Sequence, residues 1–284
     1  MKTKKILYAT NFKEGGINVV NTIVELQKVG VEEVVFLHVI EREKVAFVPY
    51  GGYLKEEEER LEEIARIRFE NWIKRLENQG CKLKIKEYIK VGNPIPEILK
   101  ITQQENADLV LLGLAQKRRF PFLKASYSPL IRSLVQRTTK PLLLLDKQTT
   151  GFDNSKGVFE HVLFPTDWSP ASQNAFYYLL NFKKLIKKLE IVNVIREKLS
   201  LRELKELRKK LEEICSYSIN RGVNAELHFY AGKITDQILT AAKDYRATSI
   251  TMGTNKKPLL KELIWGSPSY SISEHAPVPT LIVP

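Results

Sequence analysis

Ile6-Leu7-Tyr8-Ala9-Thr10-Asn11, near the start of the chain, returns as Val162-Leu163-Phe164-Pro165-Thr166-Asp167. Each stretch is an apolar run closing on a small polar pair, which reads as a buried strand reaching the rim of a sheet. Two further landmarks recur in the same order. Ala107-Asp108-Leu109-Val110-Leu111-Leu112-Gly113 returns as Ala247-Thr248-Ser249-Ile250-Thr251-Met252-Gly253, and Pro141-Leu142-Leu143-Leu144-Leu145 as Pro279-Thr280-Leu281-Ile282-Val283. Solenoid units run roughly 20 to 50 residues, so a repeat on this scale is a duplicated domain. A chain of 284 residues has room for two cores.

Working outward from the first stretch, Lys4 to Thr10 reads as a strand, Gly16 to Val29 as a helix and Glu33 to Ile40 as a second strand. Tyr50-Gly51-Gly52-Tyr53 marks a loop, in an excursion from Phe47 to Tyr53 that the second copy lacks. From Leu54 to Gln79 an amphipathic helix carries Leu61, Ile64, Ile67, Phe69, Trp72, Ile73 and Leu76, with Gly80 placed to cap it. There follow a strand opened by Cys81 (Lys82 to Lys90), a helix opened by Asn93-Pro94, a strand (Leu109 to Gly113), a basic loop, a helix (Pro129 to Thr138) and a strand (Leu142 to Leu145). Alternation of this kind implies right-handed crossovers and a parallel sheet. Gln148 to Gly157 reads as a linker between domains at 1–147 and 158–284.

Composition bounds the function. Hydrophobic residues make up 43% and charged residues 27%, and the apolar runs fall short of the roughly 20 residues that span a bilayer. The basic Met1 to Lys5 lacks a signal-peptide core behind it, so the expectation is a cytoplasmic protein with no membrane insertion. Cys81 and Cys215 have no Cys or His at metal-ligand spacing, and His38, His161 and His275 read as structural. The net charge of +12 admits two readings. Lys183-Lys184, Lys187-Lys188, Lys205 and Arg208-Lys209-Lys210 recur beside leucines at helical spacing, as on a solvated helix face. The other reading is a polyanion partner, for which the Lys117-Arg118-Arg119 loop stands out.

An open parallel sheet takes ligands at the carboxyl ends of its strands, beside the point where strand order reverses. In the second copy those ends are Pro165-Thr166-Asp167, Asn193-Val194 and Met252-Gly253. Ser169 and Pro170 read as N-cap and first residue of a helix, and Asp167 as either a capping carboxylate or an acceptor for a base amine or ribose hydroxyl. Past Gly253, the segment Gly266-Ser267-Pro268-Ser269 leads into a helix, and glycine with serine hydroxyls and free N–H groups suits a phosphate. Lys256 and Lys257 add charge to the intervening loop.

This constellation resembles the universal stress protein (UspA-like) family, in a tandem two-domain form that covers nearly the whole chain. The family pattern is Ala/Pro-Thr/Val-Asp with a serine two residues on, then Met-Gly, then G-x-x-G, nine residues and G-[ST]. Here it falls on Pro165-Thr166-Asp167-x-Ser169, Val194, Met252-Gly253-x-x-Lys256 and Gly266-Ser267, with Lys256 in place of the second glycine. In the first copy Asn11 replaces the aspartate, Gln116 the second glycine, and Ser128-Pro129 stands for Gly-[ST]. The resemblance implies two Rossmann-like α/β domains of the adenine nucleotide alpha hydrolase-like type. Each would have a five-stranded parallel sheet of order 3-2-1-4-5, and the two would pack about a pseudo-twofold as an intramolecular pseudo-dimer, with a further homodimer open.

It also implies an adenine-nucleotide-binding regulatory protein holding ATP, ADP or AMP, with or without magnesium, in the second domain, the first being degenerate. Asp167 and Val194 would meet base and ribose, and Gly253, Gly266, Ser267 and Ser269 the phosphates, with Pro165, Thr166, Met252, Lys256 and Pro268 completing the site. No P-loop, dinucleotide fingerprint or nucleophile elbow is present, so catalysis beyond slow ATP hydrolysis is not expected. The alternative is a scaffold that binds no nucleotide and uses its basic surface on a protein, a membrane-protein face or, least favoured, nucleic acid.

Overall fold

A computed structural model describes residues 2–12, 16–47, 52–114, 129–146, 156–195, 199–254 and 268–284. The chain divides into two compact units, Lys2–Lys147 and Gln148–Pro284.

The first unit runs β1 (Lys5–Thr10), α1 (Gly16–Lys28), β2 (Glu33–Glu41), a short 3-10 turn (Arg42–Lys44), β3 (Ala46–Phe47), β4 (Gly52–Tyr53), α2 (Lys55–Asn78), β5 (Lys84–Gly92), α3 (Pro94–Gln104), β6 (Leu109–Leu114), α4 (Pro129–Arg137) and β7 (Leu142–Asp146). Its main sheet is parallel in the order β5-β2-β1-β6-β7. β1 is central, with Ile6 beside Val34 on one flank and Leu109 on the other. Covered on both faces, it has no need of polar alternation, and Ile6, Leu7 and Tyr8 are fully buried.

The second unit repeats the plan with β8 (His161–Pro165), α5 (Pro170–Leu179), a 3-10 turn (Leu180–Phe182), β9 (Lys188–Ile195), α6 (Leu201–Ile219), β10 (Ala225–Ala231), α7 (Ile234–Asp244), β11 (Ser249–Gly253), α8 (Pro268–His275) and β12 (Thr280–Val283). The order β10-β9-β8-β11-β12 is again 3-2-1-4-5, so strand order reverses between β8 and β11. Both units also tie strand four to strand one at the amino edge. Asp108 Oδ2 accepts from the N–H groups of Lys4 (2.8 Å) and Lys5 (3.0 Å), and Thr248 Oγ1 accepts from that of His161 (2.9 Å).

Helix ends follow local chemistry. Asn93 caps α3 by accepting from the Ile95 N–H, and Ser200 and Glu203 form a capping box on α6. Gly80, at φ 73°, terminates α2 by donating to Glu77 O (2.8 Å) while Cys81 N–H reaches back to Leu76 O (2.9 Å).

Several expectations are corrected. Gly52 and Tyr53 pair antiparallel with Phe47 and Ala46, so part of the expected loop is a two-stranded ribbon. Cys81 opens no strand, because its N–H is spent on the helix terminator and β5 starts at Lys84. The buried stripe of α2 is Ala65, Phe69, Trp72 and Leu76, which turns Ile67 outward at 50% exposure. Lys183 to Lys188 lie on no α-helix: α5 has ended at Leu179, Phe182 and Ile186 anchor successive turns, and Lys188 opens β9. The Lys117-Arg118-Arg119 loop, Gln116 and Ser128 lie outside the described residues.

Candidate functional site

The carboxyl end of β8 is organised by Thr166. Its N–H donates to Val192 O (2.9 Å), its carbonyl accepts from Asn193 Nδ2 (2.8 Å), and its hydroxyl accepts from the Trp168 N–H (3.2 Å) and meets Ser172 Oγ at 3.1 Å. Two of these bonds are made by the backbone, and the buried hydroxyl, able to donate and accept at once, serves the other two. The Thr166–Trp168 bond closes a tight elbow, and Trp168 sits at φ 62°, the left-handed region that bulky residues avoid at about 1–2 kcal/mol. The elbow turns Asp167 out to solvent at the rim while Pro165 stays buried.

Asp167 is held as a carboxylate. Burial of its surroundings works against ionisation, but donation from Ser169 and Ser172, including the Ser169 N–H to Oδ1 at 3.0 Å, outweighs it and keeps its pKa below the ordinary 3.8. Ser169 is also the N-cap of α5, its Oγ accepting from the Ser172 N–H at 3.2 Å, with Pro170 as first helical residue. Asp167 thus stands at the positive end of α5, where the macrodipole favours negative charge.

Gly253 closes β11 against this same first turn of α5. A Cβ placed on it would lie 2.2 Å from Ala171 O and 2.7 Å from Ser172 N. The direction a side chain would take is therefore filled by helix backbone, and packing alone requires glycine here. Next along, Thr254 donates its N–H to Val283 O (2.8 Å), and its hydroxyl lies 3.5 Å from that of Ser269 in the first turn of α8. Pro268 opens that helix, and Ser269 is 8% exposed.

The structure thus gathers Thr166, Asp167, Ser169, Gly253 and Ser269 around the β8/β11 switch point. Val194, half-buried, stands at the end of β9. Met252 belongs to the apolar core with Leu163, Val192 and Ile272, so its side chain points away from the rim. Lys256, Gly266 and Ser267 lie outside the described residues. Asn193, named from the sequence only as part of the β9 strand end, locks β9 to β8 through Thr166.

The first unit repeats the elbow. Phe12, at φ 61°, donates its N–H to Thr10 Oγ1 (2.8 Å), and His38 takes the place of Asn193 with Nδ1 at 2.9 Å from Thr10 O. A carbonyl only accepts, so Nδ1 carries the proton. Asn11 stands in the place of Asp167.

Away from the rim, at the amino edge of the second sheet, lies a cluster missed in the sequence. Glu190, fully buried, accepts from His161 Nε2 (2.8 Å), His228 Nε2 (2.7 Å) and Lys188 Nζ (2.9 Å). Among the described residues Glu190, Glu226 and His228 also have metal-ligand spacing. The Lys188 ammonium, 3.2 Å from Glu226 as well, fills the cationic role there.

The universal stress protein family model matches residues 2–145 and again residues 159–284. The chain belongs to the universal stress protein family. It is 28% identical over 161 residues to universal stress protein MJ0577 of Methanocaldococcus jannaschii, an alignment spanning 52% of this chain and 97% of that one. A universal stress protein structure from Archaeoglobus fulgidus DSM 4304 superposes over 99% of this chain and 96% of its own with a TM-score of 0.75 at 22% identity. A Pseudomonas aeruginosa PAO1 protein described as functionally unknown does so over 99% and 92%, with a TM-score of 0.65 at 14% identity. These two structural likenesses establish the tandem α/β fold. Among the described residues no helix is long and apolar enough to cross a membrane.

Proposed function

We propose that this universal stress protein binds an adenine nucleotide in its second domain and that occupancy regulates a protein partner. The observation that carries the reading is the Thr166–Asp167–Trp168 elbow. It spends backbone strain to present an ionised, solvent-facing carboxylate at the switch point of an open parallel sheet. Asp167 is suited to accept from a base amine or a ribose hydroxyl, with Val194 beside it on the β9 end. Thr254 and Ser269 offer hydroxyls, and the Gly253 to Ser269 loop, with Lys256, Gly266 and Ser267, would bring the N–H groups and charge that phosphates require. Asn11, at the matching place in the first domain, lacks the charge, which favours the second domain as the main site. Any hydrolysis would be slow and incidental.

The test is binding of a fluorescent ATP analogue to the full chain and to Asp167→Arg and Gly266→Glu. The reading predicts saturable binding reduced at least tenfold in both variants. Equal binding in all three chains would overturn the assignment of the site.

A second reading, an interaction scaffold without nucleotide, is favoured by the net charge of +12. It predicts salt-sensitive retention on anionic matrices that added ATP leaves unchanged.

A further inference from the structure

Helix α2 carries its basic residues in two different settings. Arg60 pairs with Glu57 at 2.6 Å, Arg66 with Glu62 and Glu63 at 3.4 and 3.6 Å, and Lys55 with Glu59 at 3.6 Å, the ordinary economy of an exposed helix. Arg68 and Arg75 differ from all of these, and from Lys74, which has Glu70 and Glu77 within one turn, in having no carboxylate there. Three and four residues away, Arg68 has Ile64, Ala65, Asn71 and Trp72, and Arg75 has Asn71, Trp72, Asn78 and Gln79, so neither can reach a carboxylate along the helix. Among the described residues neither makes an ion pair across it. The Arg68 guanidinium lies 5.2 Å from the centre of the Phe12 ring, a contact that holds the cation without neutralising it.

These residues line an open trough along the seam of α1 and α2. One cavity of about 350 Å³ is bounded by Phe12, Arg68, Asn71, Trp72 and Arg75. A second, of about 320 Å³, is bounded by Val20, Arg75, Asn78 and Gln79. Arg75 borders both. Its polar lining is guanidinium and carboxamide, and its floor is the nearly buried Trp72 with the buried Val20. The two arginines are separated by seven residues, about 10 Å along the helix axis.

We propose that this trough is a binding site of the first domain for the phosphate chain of a small molecule. Two guanidinium forks on residues about 10 Å apart along the helix axis, unpaired among the described residues and with Asn71 between them, match a chain of linked phosphates better than a single carboxylate, because each guanidinium can take one phosphoryl group bidentately. Cavities of this volume suit a small ligand. The second domain keeps a cation only at the place of Arg68, where Lys210 stands twelve residues before Gly222. Gly80 and Gly222 end α2 and α6 alike, and counting back from them sets Tyr217 at the place of Arg75 and Glu213 at that of Asn71. The Tyr217 ring is moreover covered by Arg221 at 3.3 Å. The site lies between the α2 face and the Phe12 elbow of the first domain, and the proposal stands independently of nucleotide binding by the second domain.

The test is calorimetric titration of the full chain with sodium tripolyphosphate at low salt, for the natural sequence, Arg68→Ala/Arg75→Ala, Asn71→Glu and Asp167→Arg. All the changed side chains are exposed, and circular dichroism checks that each variant is folded. The proposal predicts a binding event weakened at least tenfold in the arginine double variant and in Asn71→Glu, and retained in Asp167→Arg. Absence of binding to the natural sequence, affinity within twofold in both trough variants, or loss in Asp167→Arg alone would each overturn it. A single-stranded oligonucleotide titrated in parallel separates the sources of phosphate. Arginine-dependent oligonucleotide binding that tripolyphosphate does not compete away would overturn the small-molecule assignment.

Discussion

His38 and Asn193 make the same bond in the two domains: His38 Nδ1 lies 2.9 Å from Thr10 O, and Asn193 Nδ2 lies 2.8 Å from Thr166 O. Each side chain stands on the second strand of its sheet and fastens that strand to the carbonyl immediately before the elbow. The imidazole has a second task, packing with its centroid 4.5 Å from that of Phe12, the elbow's left-handed aromatic, the two rings tilted by 39°. The carbonyl bond is common to both copies, and the ring contact is specific to the first.

His38→Asn is therefore expected to keep most of the stability that His38→Ala loses. A hydrogen bond of this kind contributes about 1 kcal/mol, and an unsatisfied buried carbonyl costs about 1–3 kcal/mol. Urea unfolding of the two variants at pH 7 checks the order. Equal losses would mean that the ring contact, not the bond, fastens the strands.

The same residue has a pH signature. Burial, opposed by the bond to Thr10 and joined by the nearby Lys44 and Arg68 charges, holds the His38 pKa below its ordinary 6.5. A depressed folded value means the unfolded chain binds the proton first, so the contribution of neutral His38 is present above about pH 6.5 and is lost as pH falls through the folded pKa. Between pH 7 and pH 5 the natural sequence is expected to lose more stability than His38→Asn. Parallel pH profiles of the two would contradict this.

Glu190 gives a larger effect. Its burial favours the neutral acid, but donation from Lys188, His228 and His161 prevails and holds the pKa below the ordinary 4.5. Stability from this carboxylate is present above about pH 4.5 and is lost as pH falls through the folded value. Lys188→Met leaves a buried charge short of a partner and is expected to cost about 3–5 kcal/mol at pH 7. Denaturant titration would show it, and a loss below 1 kcal/mol would mean that the histidines alone hold the carboxylate.

Thr251 is expected to act in the opposite sense. It is fully buried on β11, and its hydroxyl has no hydrogen-bond partner among the described residues. Thr251→Val keeps the shape and removes an unsatisfied polar atom, for an expected gain of about 1 kcal/mol. Thermal unfolding reads this directly, and a lower melting temperature would mean that the hydroxyl has a partner after all.

Gly253→Ala separates packing from ligand chemistry. The added Cβ meets the α5 backbone at 2.2 Å, so a loss of about 1–3 kcal/mol is expected in ligand-free protein. A variant as stable as the natural chain that failed only to bind nucleotide would assign the glycine to the ligand instead.

Much of this was legible in the sequence because it is local. The strand ends at Thr10 and Thr166, the caps at Asn93 and Ser169 and the terminator at Gly80 are each written in a few adjacent residues, and the duplication states every signal twice. The Glu190 cluster was not legible, because it depends on register. Glu190 in the run Leu189-Glu190-Ile191-Val192 is one acid in an apolar strand, and its partners His161 and His228 come from neighbouring strands 29 and 38 residues away. The 183–188 segment misled for a related reason: its lysines and leucines have helical spacing, but short turns anchored by Phe182 and Ile186 satisfy the same pattern. At the site, Asp167 and Ser169 were visible, whereas the left-handed Trp168 that aims them is a backbone property. Gly253 was visible as a glycine, but the helix turn that requires it was not.

The most direct test of the central claim is to purify the full chain natively, denature it, and identify any released small molecule by liquid chromatography with mass detection, beside Asp167→Arg prepared identically. The account predicts ATP, ADP or AMP at close to one equivalent from the natural sequence and a large reduction from the variant. No adenine nucleotide in either, together with no thermal shift on adding ATP and magnesium, would contradict it.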